Sequence, residues 1–155
     1  KAKGTSIKEG IAALITQKIV SERYSSYTCW GSPCGAALMQ AGYNFNGDIY
    51  TCDEARSFEE FKIGSVTDSY KNVITSQAVL DTVNLSSGLS SLCDACVWHP
   101  YCGRCLVCTY GQQGGMVSKL PMDYECKLRK MMIEHIIQKL SENKKDAQIL
   151  RSWAK

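Results

Sequence analysis

The sequence predicts a small α+β fold that is rich in loops and dense in cysteine, and three features of the chain support this prediction. Apolar side chains recur at helical spacing near both ends of the 155 residues. An Asn-Gly pair between aromatic and β-branched runs indicates a β-hairpin. Five of the nine cysteines lie within residues 93–108, which is too dense for side chains that serve only as small core residues.

The first predicted element is an N-terminal amphipathic helix over residues 5–24. Ser6 is a suitable N-cap, and Glu9 follows it three residues later, as in a capping box. The apolar face consists of Ile7, Ile11, Leu14, Ile15 and Ile19. A helix with one apolar face needs a partner, so we expect it to pack against another element.

A β-hairpin is predicted next, with strands at about 42–45 and 48–52. Asn46-Gly47 fits a type I′ turn, in which both central residues need positive φ. The loop before the hairpin carries Cys29 and Cys34. The second strand would return Cys52 towards that loop.

The middle of the chain predicts only short elements. Phe61, Ile63 and Val66 indicate a short extended segment, and residues 70–83 predict one or two short helices. Residues 110–121 are Gly-rich and are predicted to be irregular.

A long C-terminal helix is predicted over residues 122–140. Asp123 is its expected N-cap, and Cys126 lies in its first turn, where the helix dipole stabilises a thiolate. The predicted apolar face consists of Leu128, Met131, Met132, Ile136 and Leu140. The charged tail that follows predicts a weaker helical stripe of Ile149, Leu150 and Trp153.

Charge and composition exclude several function classes. The net charge is +3, with 18 basic and 15 acidic residues, so no strong field favours nucleic acid or an anionic membrane as a partner. The sequence has no apolar run of the roughly 20 residues that a membrane span needs, and no signal peptide. We therefore expect a cytoplasmic protein with reduced thiols, which disfavours a disulfide scaffold. Because the sequence begins at Lys1 without Met, we expect it to be part of a longer polypeptide.

The cysteine spacing within residues 93–108 is typical of a metal site. Cys93 and Cys96 are separated by two residues, a spacing that serves zinc and iron–sulfur clusters equally well. One tetrahedral centre takes four thiolates, so two centres, or one centre with spare thiols, are the alternatives. In two-cluster ferredoxins a tight run gives three ligands to one cluster and sends the next cysteine to the other. The same geometry would make Cys105 cross over after Cys102, and Cys34 and Cys52 are available to join it.

Seven cysteines and one glycine together resemble the SPASM domain of radical SAM peptide maturases. The family pattern is Cys, nine to fifteen residues, Gly, four residues and Cys, then Cys-x2-Cys-x5-Cys-x3-Cys and a last Cys. The resemblance covers about residues 27–140, with two residues instead of three before the sixth cysteine. The matching positions are Cys34, Gly47, Cys52, Cys93, Cys96, Cys102, Cys105 and Cys126. Segments 33–36, 47–54 and 100–103 are most similar to the maturases of His-Xaa-Ser peptide systems.

The resemblance implies two auxiliary [4Fe-4S] clusters. The first would be held by Cys34, Cys52 and Cys105, with Cys29 as the fourth ligand or with an open iron in its place. The second would be held by Cys93, Cys96, Cys102 and Cys126. Cys108 is left over and is an alternative to Cys105. Each centre would carry about −2, from a core of about +2 and four thiolates.

The resemblance also implies a larger enzyme that modifies a ribosomally made precursor peptide. The Cys-x3-Cys-x2-Cys motif that cleaves S-adenosylmethionine does not occur in this sequence, so that cofactor would bind only in a missing radical SAM core domain. Residues 1–26 would be the end of the partial barrel of that core, residues 27–140 the twin-cluster domain, and residues 141–155 a charged helical tail. The domain would then serve electron transfer and substrate positioning, without being catalytic alone.

Three further side chains near the cysteines have possible roles. Asp53 follows Cys52, and in sulfatase maturases of this superfamily an Asp at the matching position is a general base; the alternative is a surface carboxylate paired with Arg56. His99 lies between predicted cluster ligands, and we expect a hydrogen-bonded surface histidine, with a side chain that supports those ligands as the alternative. Arg104 is a candidate for raising a cluster's reduction potential.

Two other function classes compete with the maturase domain. One is a protein-interaction module that zinc stabilises, and the other is a free-standing iron–sulfur electron carrier. Visible absorption distinguishes the zinc-stabilised module from a protein with iron–sulfur clusters, because zinc is d10 and does not absorb visible light.

Overall fold

The computed structural model describes residues 7–21, 27–87, 91–119 and 123–154, and it confirms an α+β fold. Three strands form one antiparallel sheet in the order β1-β2-β3: β1 Gly42–Tyr43, β2 Asp48–Tyr50 and β3 Lys62–Ser65. The helices are α1 Gly10–Val20, α2 Tyr70–Ile74, α3 Gln77–Ser86, α4 Ser91–Asp94, α5 Leu106–Gln113, α6 Tyr124–Glu142 and α7 Lys144–Trp153. In the described part of the chain, no helix is both long enough and apolar enough to cross a membrane.

The N-terminal helix is shorter than its prediction. The predicted N-cap, Ser6, lies outside the described residues, and the cap of α1 is Glu9, whose carboxylate accepts hydrogen bonds from the backbone N–H groups of Ile11 and Ala12. Ile7 precedes the helix and is 77% exposed, so its placement on the apolar face is wrong.

The β-hairpin lies where the sequence predicts it, with shorter strands and a different turn. Gly42 pairs with Tyr50, and the Gly47 N–H donates to the Asn44 carbonyl at 3.0 Å. Within this loop only Gly47 has positive φ, so the type I′ prediction is wrong. The side chain of Asn46 bonds the N–H of Asp48 instead, which closes a three-residue loop of the kind that ends in a left-handed glycine.

The segment at Phe61 continues into the third strand, and the two predicted short helices follow it as α2 and α3. Phe61 is fully buried in a core with Tyr50 and Leu106. Leu106 belongs to α5, so the prediction of an irregular segment from residue 110 is wrong for residues 110–113. The helix forms because Leu106 and its neighbours bury an apolar face, and it stops at Gly114, where φ is +68°.

Helices α1, α6 and α7 pack together around a second core, and they include the predicted tail helix. This core consists of Ile15, Trp30, Ile133, Ile136 and Leu150. Asp123 caps α6, as predicted. The predicted apolar face of α6 is partly wrong, since Leu128 and Met131 are 38% and 57% exposed while Arg129 is buried.

Candidate metal centres

The first candidate site is a cavity of about 20 Å³ that lies between the loop carrying Cys29 and Cys34, strand β2 and helix α5. Four thiol residues line it, namely Cys29, Cys34, Cys52 and Cys105. Cys29 lies in the short helical turn Thr28–Trp30, and Cys52 follows β2 by two residues. Cys105 is the N-cap of α5, and its sulfur accepts from the N–H of Cys108 at 3.4 Å. The hairpin and α5 thus bring together thiols that are up to 76 positions apart in sequence.

A close backbone approach holds two of these segments together at Gly103. A Cβ at this position would lie 2.6 Å from Cα of Trp30 and 2.8 Å from the carbonyl oxygen of Cys29. Both neighbours are backbone atoms and cannot rotate away. The segment that carries Cys102 and Cys105 can therefore contact the Cys29 turn only because residue 103 has no side chain.

The second candidate site is a larger cavity of about 220 Å³ at the start of α6. It is lined by Cys93, Cys96, Cys102 and Cys126, and also by Cys34. Successive backbone hydrogen bonds fold the first three thiols into one compact loop, among them Cys96 N–H to the Cys93 carbonyl at 3.0 Å and Cys102 N–H to the Trp98 carbonyl at 2.9 Å.

The fourth thiol of this site is fixed by the N-terminus of α6. The Asp123 side chain is 2% exposed and accepts from the N–H of Cys126 at 3.3 Å. The hydroxyls of Ser118 and Thr109 donate to the other carboxylate oxygen. This buried network places Cys126 at the edge of the cavity.

Burial favours the neutral thiol at two cysteines of each site, Cys34 and Cys52 in the first and Cys102 and Cys126 in the second. Removal from water raises the pKa of Cys52 and of Cys102 to about 11, against 9.0 for an ordinary thiol. Burial also raises the pKa of Cys34 and of Cys126. A metal ligand must lose its proton, so the positive charge of a bound metal would have to offset this desolvation.

Cys108 lines neither cavity. Burial raises its pKa strongly, and the nearby Cys105 and Glu125 raise it further. The structure therefore places Cys105, and not Cys108, with the other thiols of the first site.

The other predicted residues lie around these sites. Asp53 is 80% exposed and forms an ion pair with Arg56 at 3.7 Å, which is the pairing that the sequence offered as the alternative to a general base. His99 lines the second cavity, and its carbonyl accepts from the hydroxyl of Ser32 at 3.2 Å. Arg104 also lines this cavity, with its guanidinium bound to the carbonyl of Leu85 at 2.8 Å.

Two cations near the second site are absent from the sequence predictions. Arg129 is 8% exposed and lines the cavity. The Lys18 ammonium donates to the carbonyl of Trp30 at 2.7 Å, and burial lowers its pKa to about 8. The sequence contains one signal for the burial of Arg129. This residue follows Glu125 by four positions and lies on the helix face that also carries Ile133 and Ile136.

The thiols of the two sites are spread around cavities. All nine cysteines are unpaired, and among the described residues no three His, Cys, Asp or Glu side chains form a group that could hold a single metal ion.

Comparisons with known proteins show a likeness of fold. No protein-family model matches the chain, and no curated protein does. A solved structure of histidine-tagged anSMEcpe with bound AdoMet matches 90% of this chain with a TM-score of 0.61 at 20% identity. Native anSMEcpe with bound AdoMet and the Cp18Cys peptide matches 92% of it with a TM-score of 0.63 at 17% identity. This chain spans 36% of the length of each of those two chains.

Proposed function

We propose that this chain is an auxiliary iron–sulfur domain, of the SPASM type, in a radical SAM enzyme that modifies ribosomally made peptides. The observation that carries the proposal is that eight cysteines line two cavities, with Cys29, Cys34, Cys52 and Cys105 around the first, and Cys93, Cys96, Cys102 and Cys126, together with Cys34 again, around the second. The likeness of fold to a protein solved with AdoMet supports it. The finer placement among maturases of His-Xaa-Ser systems rests on the sequence resemblance, and a cytoplasmic location stays a prediction.

The donor sets fit iron–sulfur clusters in their chemistry. Soft thiolates are the ligands that such clusters and zinc take, and at least four cysteines line each cavity. Cys29, Cys34, Cys52 and Cys105 would hold the first cluster, and Cys93, Cys96, Cys102 and Cys126 the second. When bound, the clusters would supply one-electron transfer. The first cavity has room for about one water molecule, so its thiol-bearing loops would have to move apart to admit a cluster.

The remaining parts of the proposal concern partners. The matched solved chains are about two and a half times as long as this one and hold AdoMet, which supports a radical SAM core domain as a partner of this chain. One of them holds a peptide, which supports a precursor peptide as the substrate. Asp53 is exposed beside Cys52, so it is accessible as a general base once a substrate displaces Arg56.

Anaerobic reconstitution of the full chain with iron and sulfide tests this function. We expect about eight iron and eight sulfide per chain, and a broad visible band that bleaches on reduction. Binding of one or two zinc ions in place of iron, with no visible band, would contradict the proposal and favour the zinc-stabilised interaction module. Clusters that form without any affinity for a core domain or a peptide would favour the free-standing electron carrier.

A Cys-to-Ala series assigns the two centres. Cys52→Ala should lose about four irons and keep the second centre, and Cys96→Ala should lose about four and keep the first. Loss of all iron from either variant would contradict two separate centres.

A further inference from the structure

The guanidinium of Arg129 is buried beside the second cavity with two donor atoms that have no hydrogen-bond partner. The residue is 8% exposed and lines the cavity together with four of the thiol residues of the second site. The two donor atoms, Nε and Nη1, are themselves buried. A buried charge with unpaired donors is strongly unfavourable, because the lost hydration is not replaced. Such a group points to an acceptor that fills the adjacent space.

Existing contacts hold the guanidinium in place and only partly compensate its charge. Its central carbon lies 4.4 Å from the centroid of the Trp30 ring. Its Nη2 atom lies 3.5 Å from Oε1 of Glu125, at the long end of hydrogen-bond distance. The second oxygen of Glu125 is buried without a partner, so this pair is loosely made. The ring and the carboxylate orient Arg129 without using its Nε and Nη1 atoms.

The electrostatic field of Arg129 acts on thiols that line the second cavity. It interacts with the sulfur of Cys102, which belongs to the second predicted ligand set, and with that of Cys34, which lines both cavities. The nearby Lys18 adds a second cation on the side of Cys102. The cavity is also lined by the carboxylates of Asp123 and Glu125, so an anionic occupant would meet its favourable charge on the side of Arg129 and Cys102.

We propose that Arg129 donates hydrogen bonds to the sulfur atoms of the cluster in the second centre, and that its charge raises the reduction potential of that cluster. The inference rests on the proposed function, because it needs a cluster in this cavity. Reduction adds one electron and one negative charge to a centre that already carries about −2. A cation and two donors at the sulfurs stabilise the reduced form more than the oxidised form.

The test measures reduction potentials of the reconstituted full chain by a dithionite titration followed by electron paramagnetic resonance. The second centre is the signal that Cys96→Ala lacks. Arg129→Gln should lower its reduction equilibrium constant about tenfold, which is about 59 mV for a one-electron couple. Arg129→Lys keeps the charge without the forked donors, and its reduction potential should lie between those of the native chain and of Arg129→Gln. Lys127→Gln is the matched control, because Lys127 lies on the same helix, is exposed and does not line the cavity.

The outcomes separate this inference from the proposed function. Failure of the native chain to take up iron contradicts the function before any variant is made. Clusters in Arg129→Gln with the native potential, or an equal shift in Lys127→Gln, would overturn the inference alone. Loss of the second centre in Arg129→Gln that Arg129→Lys restores would support it. Loss of the metal-free fold in both variants would show a purely structural role and overturn it.

Discussion

The guanidinium carbon of Arg129 lies 4.4 Å from the centroid of the Trp30 ring, and this contact joins the two cysteine sites. Trp30 follows Cys29 directly, and Arg129 lies one turn after Cys126 in α6. Trp30 also packs with Ile15 of α1 and accepts a hydrogen bond from Lys18 through its carbonyl. The indole thus connects the loop that carries Cys29 and Cys34 to helices α1 and α6.

Trp30→Ala should destabilise the metal-free chain by about 3–5 kcal/mol, the usual cost of deleting a buried aromatic side chain. The cation–π contact adds to this loss, because Arg129 then has no ring beneath it. Urea unfolding followed by circular dichroism measures the change. Trp30→Phe keeps an aromatic ring, so its free energy of unfolding should fall clearly less. Equal losses of stability in the two variants would argue against a stabilising role of the aromatic ring.

Gly103→Ala should destabilise the chain and disturb the first site, because the new Cβ meets the backbone of Trp30 at 2.6 Å. Overpacking of this kind typically costs about 1–3 kcal/mol. Gly115→Ala is a matched control, since nothing lies within 4 Å of its Cβ. Thermal unfolding should separate the two variants, and equal melting temperatures would contradict the close approach at Gly103.

Local signals were sufficient for most of the fold. The Asp123 cap is a short-range rule and needs no knowledge of the tertiary structure. The other features of the fold depend on side-chain contacts that the spacing of residues in the sequence does not show. The hairpin turn follows from the hydrogen bond of the Asn46 side chain to Asp48, and α5 forms because Leu106 meets Phe61 across the core.

The candidate sites, like the fold, were only partly predictable from the sequence. Cysteine spacing and the resemblance predicted two sets of four thiols. The structure places the first set around one cavity and the second set around the other, with Cys34 lining both. The electrostatic surroundings were not predictable, because Arg129 looks like an ordinary surface charge in a helical sequence. Its burial depends on Trp30, which lies 99 positions earlier in the chain.

Cys105→Ala and Cys108→Ala should differ in iron content after reconstitution. Cys105 lines the first cavity and Cys108 does not, so the first variant should lose up to about four irons and the second none. Iron and sulfide analysis measures the difference. The reverse result would make Cys108 the ligand.

The metal-free chain should lose stability as the pH rises from about 9 to about 11. Burial raises the pKa of Cys52 and of Cys102 to about 11, so the folded state holds protons that the unfolded state releases above pH 9. These thiols therefore stabilise the fold fully below pH 9, and that contribution is lost as the pH rises through their folded pKa values. Urea unfolding with chelator and reductant at pH 8 and pH 10.5 measures the loss, which Cys52→Ala should reduce.

Lys18 acts in the opposite direction over nearly the same range. Burial lowers its pKa to about 8, so between pH 8 and 10.5 the unfolded state binds the proton and the folded state does not. Its contribution to stability therefore rises with pH in that window. Lys18→Met removes this opposing effect, and its stability should fall more steeply from pH 8 to pH 10.5 than that of the native chain. A parallel or shallower fall in Lys18→Met would show that the ammonium keeps its ordinary pKa beside Trp30.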